Sequence, residues 1–216
     1  MDLIHDAFRP RPYVLRDTYL RTSAFEGTIH TEGGQRVMVL PEELIQGLHR
    51  AVEHETGRAA SLILYGCGRR WGERMIERWR GEWREYYDAK IEDADYTAFE
   101  AFLVVVFADH GWGSLEVDFA MAEEGLLEFR LRNSVFARLI TGTEQPVVDH
   151  IFTGFFAAIA SAFSGETLDA IEIASTRSGA PACRFIVALP DRIDRARERA
   201  LDGATGDELL ATLRSS

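Results

Sequence analysis

The sequence predicts an α+β fold in which an antiparallel sheet built from hairpins packs against long helices, and three features predict it. Two runs near the middle alternate apolar with polar or small residues at the period of a half-buried strand. These are Leu115, Val117, Phe119 and Met121, then Leu127, Phe129 and Leu131 after a Glu123-Glu124-Gly125 turn. A second pair, Leu168–Ser175 and Ala182–Leu189, flanks a Ser/Gly/Pro turn and closes a hairpin. Between and before these pairs lie segments whose apolar residues recur at helical spacing.

Taken in order, residues 1–22 are rich in Arg and Pro and read as an arm packing on the domain or on a partner. Phe25–Leu40 reads as a hairpin, with Thr31-Glu32-Gly33-Gly34 as its turn and Arg36–Leu40 as its second strand. Pro41-Glu42-Glu43 opens a helix that Gly57 closes, the usual placing of Pro first and Gly last. A second helix runs from about Ala59 to Tyr87, with Trp71, Met75, Trp79 and Trp83 on one stripe, most simply a core face. Phe99, Phe102, Leu103, Val106 and Phe107 give a third helix its apolar face. Val148, Ile151, Phe152, Phe155, Phe156, Ile159 and Phe163 do the same for a fourth. The tail after Pro190 is charged and helical, placed to cap the sheet or lie on the surface. The division is therefore an arm (1–22), one globular domain (23–190) and a helical tail (191–216).

A chain of 216 residues, 46% apolar and 27% charged, has the composition of a globular protein able to bury a substantial core. The net charge of −11 argues against nucleic acid, since phosphate binding needs clustered Lys and Arg. Arg69, Arg70, Arg74, Arg78, Arg80 and Arg84 are interleaved with Glu73, Glu77, Glu82 and Glu85, the pattern of a solvated helix face. The longest apolar runs, such as Phe102–Ala108, are too short to span a bilayer, so no integral membrane segment is expected. The N-terminus lacks the pattern of a secretory signal, and a cytoplasmic location is the expectation. Cys67 and Cys183 then read as thiols and not as a disulfide.

The stretch Glu172–Phe185 carries the most chemistry. A carboxylate at Glu172, a hydroxyl at Ser175 and a thiol at Cys183 have the spacing of metal ligands, although a hydroxyl is the wrong donor for zinc. Catalytic motifs are missing: there is no G-x-S-x-G elbow, no H-E-x-x-H, no phosphate-binding loop and no dinucleotide fingerprint. Cys67 has Arg69 and Arg70 near it but no His partner, so it does not read as a nucleophile. Thirteen Phe and four Trp are many for this length, and such a core either packs solid or leaves an apolar cavity for a flat ligand.

Several strings meet a known pattern in order: Leu40-Pro-Glu42, Leu64-x-x-x-Gly-Arg-Arg-Trp-Gly72, His110-Gly-Trp-Gly113 and Asp118-Phe119. Asn133-Ser-x-Phe-Ala137, Gly154-x-x-x-Ala-x-x-Ser161 and Glu172-x-x-Ser-x7-Cys-Arg-Phe185 follow. Over roughly residues 20–190 the chain resembles the 4-vinyl-reductase domain family, small-molecule-binding domains that share a fold with subunits of the TRAPP vesicle-tethering complex. The likeness is greatest to stand-alone cyanobacterial members linked to photosystem assembly and chlorophyll precursors.

The resemblance implies a binding protein for a hydrophobic planar small molecule, with a tetrapyrrole or chlorophyll precursor leading. It implies His110, Trp112, Phe129, Leu131, Phe152 and Phe156 as ligand-binding residues, and a homodimer or other protein partner, paired through the first helices or the arm. His110 also reads as a helix C-terminal residue satisfying carbonyls, and either it or His150 could offer a tetrapyrrole metal an axial nitrogen. The family's sensors carry a zinc site whose positions fall here on Asp149, Glu172, Ser175 and Cys183. Asp149, Glu172 and Cys183 are thus degenerate zinc-site positions, and the expectation is a vacant site with Cys183 in the core. The alternatives are a tetrapyrrole vinyl reductase, which lacks any visible reductant site, and a dimeric interaction module with a solid aromatic core.

Overall fold

The computed structural model describes residues 19–140 and 146–215. Most of the arm and a short segment before Pro146 lie outside the described residues. A small sheet opens the fold, with β1 (Leu20–Ser23), β2 (Thr28–Thr31) and β3 (Arg36–Val37) in that order, all antiparallel. β1 straddles the boundary drawn between arm and domain. β3 ends at Val37, not at Leu40 as the apolar run Val37–Leu40 suggests. Its register pairs Ile29 with Val37, so two more residues would run into Gly27, whose φ of +64 turns the chain back toward β1. Met38 and Val39 are left 73% and 84% exposed.

The helices follow the periodicity closely: α1 (Glu42–Thr56), α2 (Ala60–Tyr87) and α3 (Tyr96–Asp109). Every residue assigned to the apolar face of α3 is buried. The main sheet combines two hairpins: β4 (Ser114–Asp118) with β5 (Leu127–Arg132), and β6 (Asp169–Ala174) with β7 (Cys183–Ala188). The two join where β5 meets β7, giving the antiparallel order β4-β5-β7-β6. β4 stops short of Phe119 and Met121 because Asp118 Oδ1 accepts from Ala120 N at 2.8 Å and turns the chain out of the ladder.

Between the hairpins lie the short α4 (Val135–Leu139) and α5 (His150–Ser164). In α5 nine consecutive residues, Phe152–Ala160, are buried. It is held between the sheet and α2, a helix apolar on all sides because no side meets water. The inner sheet face (Leu115, Val117, Phe129, Leu131, Phe185 and Val187) packs with α2, α3 and α5 in the main core.

On the outer face, α6 (Pro190–Leu201) and α7 (Gly206–Arg214) cover Ile171, Ile173, Ile186 and Ala188 with Ile193, Ala196, Leu209 and Leu213. The charged tail therefore caps the sheet. Arg197 anchors it, donating two hydrogen bonds of 2.8 Å to Asp169, which also accepts from the Tyr65 hydroxyl. The part of the outer face beyond these helices carries Glu128, almost fully buried beneath Arg184 and Arg130, which pair with it at 2.7 Å and 3.0 Å. Burial alone would raise its carboxyl, but the two guanidinium groups prevail and hold it below the usual range.

α2 and α5 cross at backbone contact. A Cβ on Gly68 would lie 1.8 Å from the Ile151 carbonyl oxygen, and one on Gly154 would lie 2.0 Å from that of Tyr65. No side chain fits at either point. Gly154→Ala and Gly68→Ala should each lower stability by more than about 3 kcal/mol in chemical denaturation or abolish soluble expression, as severe overpacking does. Gly81→Ala, in the same helix with nothing near its missing Cβ, should gain up to about 1 kcal/mol.

Candidate functional site

The sequence-assigned ligand residues fall into one continuous aromatic cluster. α3 ends at His110, and the turn Gly111-Trp112-Gly113 leads into β4. Gly113 sits at φ +139, and a Cβ there would lie 2.7 Å from the Arg132 carbonyl oxygen, so the turn admits only glycine there and fixes Trp112. Trp112 is half-buried, with its ring centroid 4.6 Å from His110. Behind them the rings are fully enclosed. Phe156 stacks on Phe129 at 4.3 Å and on Phe107 at 5.6 Å, and Phe152 lies 6.1 Å from Phe156. Leu131 is buried in the same core.

Three contributors were not assigned as ligand residues. Trp71, read as the first of a core stripe, is only half-buried and meets Trp112 edge-on at 4.7 Å and Phe155 at 4.5 Å. Phe155 was visible as an inward-facing residue of α5. Tyr19 packs edge-on to His110 at 5.9 Å, and nothing in an Arg/Pro-rich segment signalled that contact. The cluster thus runs from a half-exposed rim of His110, Trp112 and Trp71 into a core of stacked Phe.

The imidazole of His110 stands at that rim in a defined tautomer. Its Nδ1 lies 2.8 Å from the Val106 carbonyl oxygen, which can only accept, so Nδ1 carries the proton and Nε2 keeps its lone pair. Burial, ahead of the Val106 contact, lowers the imidazole below its ordinary value and keeps it neutral. A neutral imidazole with a basic Nε2 can accept a hydrogen bond from a ligand hydroxyl or bind a metal. His150, the other imidazole considered, starts α5, and burial pulls it down to about 4.

The second site lies at the end of the closing hairpin. Asp149, Glu172 and Cys183, all buried, each offer a donor atom, and these atoms lie within 4.8 Å of one another. Asp149 occupies the cap position of α5 but does not cap it; its Oδ1 accepts from Ser134 Oγ at 2.9 Å. Glu172 Oε2 accepts the backbone N–H groups of Val148 at 3.0 Å and Asp149 at 2.8 Å, tying β6 to the start of α5. A bulge between Glu172 and Ala174 shifts the β6–β7 register beside it. Ser175 is fully buried, its Oγ 3.8 Å from Cys183 Sγ. Asp149 Oδ2 and Glu172 Oε1 have no hydrogen-bond partner.

Burial drives all three acids toward their protonated forms: Asp149 up to about 6, Cys183 up to about 12, and Glu172 well above its usual value. Asp149 adds to the shifts of the other two. Two orphaned carboxylate oxygens beside a thiol fit a divalent cation, which Asp149, Glu172 and Cys183 would hold.

No protein-family model and no curated protein matches the chain. Solved structures do match in fold. The phenol-responsive sensory domain of the transcription activator PoxR, determined with phenol, is similar at TM-score 0.64 and 21% identity, over 81% of this chain and 86% of that one. A trafficking protein particle complex subunit 3 from Naegleria fowleri, covalently bound to palmitic acid, matches at TM-score 0.52 and 12% identity, over 68% and 94%. A vinyl-4-reductase family protein from Methanocaldococcus jannaschii aligns at TM-score 0.47 and 16% identity, over 70% and 82%. The chain therefore has the α+β fold shared by that sensory domain and that trafficking subunit. Among the described residues, no helix is long and apolar enough to cross a membrane.

In chelator-treated protein, Asp149 makes folding pH-dependent. Its folded value is raised, so its contribution is fully present below the unfolded value of 3.8 and is lost as pH rises through about 6. Asp149→Asn removes that loss. Denaturation at pH 4 and pH 7 should show the variant gaining on wild type over this interval. An unchanged gap would mean that Asp149 is not held in the protonated form.

Proposed function

We propose that the chain is a non-enzymatic binding protein that carries or senses a hydrophobic, planar small molecule. The observation that carries this reading is the aromatic cluster, with a half-buried rim backed by stacked Phe and a single imidazole of defined tautomer at its edge. Such a site offers apolar faces to a flat ring and one directed polar contact, the usual make-up of a small-molecule site. The fold shared with a phenol-responsive sensory domain supports it. We further propose a tetrapyrrole or chlorophyll precursor as the ligand. The sequence resemblance supports this choice, and His110 Nε2 would supply an axial nitrogen to a metallated ring.

The test is a spectrum and a melting curve. Protein purified from its native host should carry a Soret-type band that His110→Ala weakens or abolishes. A saturating metalloporphyrin, at about a hundred times its Kd, should stabilise purified protein by about 2.7 kcal/mol, a Tm rise of roughly 5–10 °C. A colourless protein whose Tm responds neither to porphyrins nor to simple aromatics would favour the solid-core interaction module instead.

The outward faces of α1 and the start of α2 support a homodimer. Leu44, Leu48, Leu62 and Ile63 are 46%, 57%, 72% and 41% exposed. A pair of copies would cover such side chains. Light scattering should return twice the chain mass for wild type, and Leu48→Glu with Leu62→Glu should return the monomer.

A further inference from the structure

Arg78, which the interleaved charges place on a solvated face of α2, is half-buried in the structure. Trp71, Met75 and Arg78 follow one another at steps of four and three and so share a helix face. Trp71 belongs to the rim of the aromatic cluster, and Met75 is buried in the core. The Arg78 guanidinium folds back along this face, Nη2 donating to Met75 Sδ at 3.3 Å. It also lies within electrostatic reach of His110 and Tyr19, whose rings meet edge-on at 5.9 Å. Burial is the larger influence on both rings; the cation adds to it at His110, disfavouring a second proton, and opposes it at Tyr19, favouring the phenolate.

Nη1 of Arg78 is buried and has no hydrogen-bond partner. A thioether is a weak acceptor, so Nη2 is poorly satisfied as well. Other arginines of α2 have carboxylate partners: Arg69 with Glu73, Arg74 with Glu77 and Arg80 with Glu92. Glu82 and Asp109 also act on Tyr19, yet neither supplies an acceptor to Arg78 Nη1. A buried guanidinium N–H without an acceptor is costly, and the planar fork that carries it matches a carboxylate. We propose that the planar ligand of the aromatic cluster is an acid, its carboxylate received by Arg78 while its ring lies against Trp71 and Trp112. This rests on the reading of that cluster as a small-molecule site. The rim then offers two complementary groups: His110 Nε2 accepts from a proton donor or binds a metal, and Arg78 donates to the anion. A neutral hydrophobe leaves the guanidinium unsatisfied, so the site selects an aromatic acid over an apolar ring of the same shape.

Two matched pairs of probes, titrated into the full chain, test this: zinc mesoporphyrin with its dimethyl ester, and 2-naphthoate with 2-naphthamide. Quenching of tryptophan fluorescence reads binding, since Trp71 and Trp112 flank the site. Each acid should bind wild type about tenfold or more tightly than its neutral partner. Arg78→Gln should erase that preference while the neutral probes still bind, and Arg78→Lys should restore part of it. Neutral probes that bind wild type as tightly as the acids would overturn the inference and leave the small-molecule reading standing, a comparison that does not depend on any variant folding. Equal losses of acid and neutral probe in Arg78→Gln would overturn it too. Binding of none of the four would remove the small-molecule reading itself, and the acid with it.

Discussion

The backbone contact between α2 and α5 is the constraint on which the rest of the molecule depends. With Gly68 and Gly154 at the crossing, the two helices approach until carbonyl oxygens occupy the space of side chains. That closeness lets α5 serve as a central layer, covered by α2 on one side and by the inner face of the sheet on the other. It also sets the depth at which Phe152, Phe155 and Phe156 meet the rings of α3 and β5. Small residues here substitute for a hydrophobic interface: contact comes from backbone surfaces, and larger side chains flank the crossing without filling it.

Most of the fold could be read from periodicity, and the misreadings share one cause. The helices α1, α2, α3 and α5 fall within a few residues of their expected bounds, since long amphipathic repeats outweigh local noise. Strand ends were less legible. The apolar run Met38-Val39-Leu40 and the alternation of Phe119-Ala120-Met121 continue past the last residue that has a partner. Pairing is decided by the neighbouring strand and by turns such as Gly27 and Asp118, not by the segment's own pattern. The tail's capping role was open because its apolar residues, Ile193, Ala196, Leu209 and Leu213, are few and sparsely spaced among charges.

The candidate sites were legible to different depths. Glu172, Cys183 and Asp149 were placed together through the family pattern, and the structure brings them within one cluster. The altered donor types at Asp149 and Ser175 led the sequence reading to expect a vacant site. What a sequence does not display is that Ser134 and two backbone amides fix one oxygen of each carboxylate and leave the other bare. In the aromatic cluster, Trp71 looked like its stripe-mates Trp79 and Trp83, and only the turn that carries Trp112 distinguishes it. The short approach of Nδ1 to the Val106 carbonyl shows that both readings of His110 hold together: it satisfies a helix carbonyl and, through that contact, presents a basic nitrogen.

The uncovered outer face of the sheet bears on how this chain meets others of its kind. β4 is an edge strand, the sort of surface on which further strands can stack without limit. Its outward residues Glu116 and Asp118 are tied to Arg130 at 2.9 Å and 2.5 Å, and Arg130 in turn shares Glu128 with Arg184. An incoming strand would have to lie along these paired charges and gain no apolar surface in return. Growth of the sheet at the β4 edge is thereby discouraged.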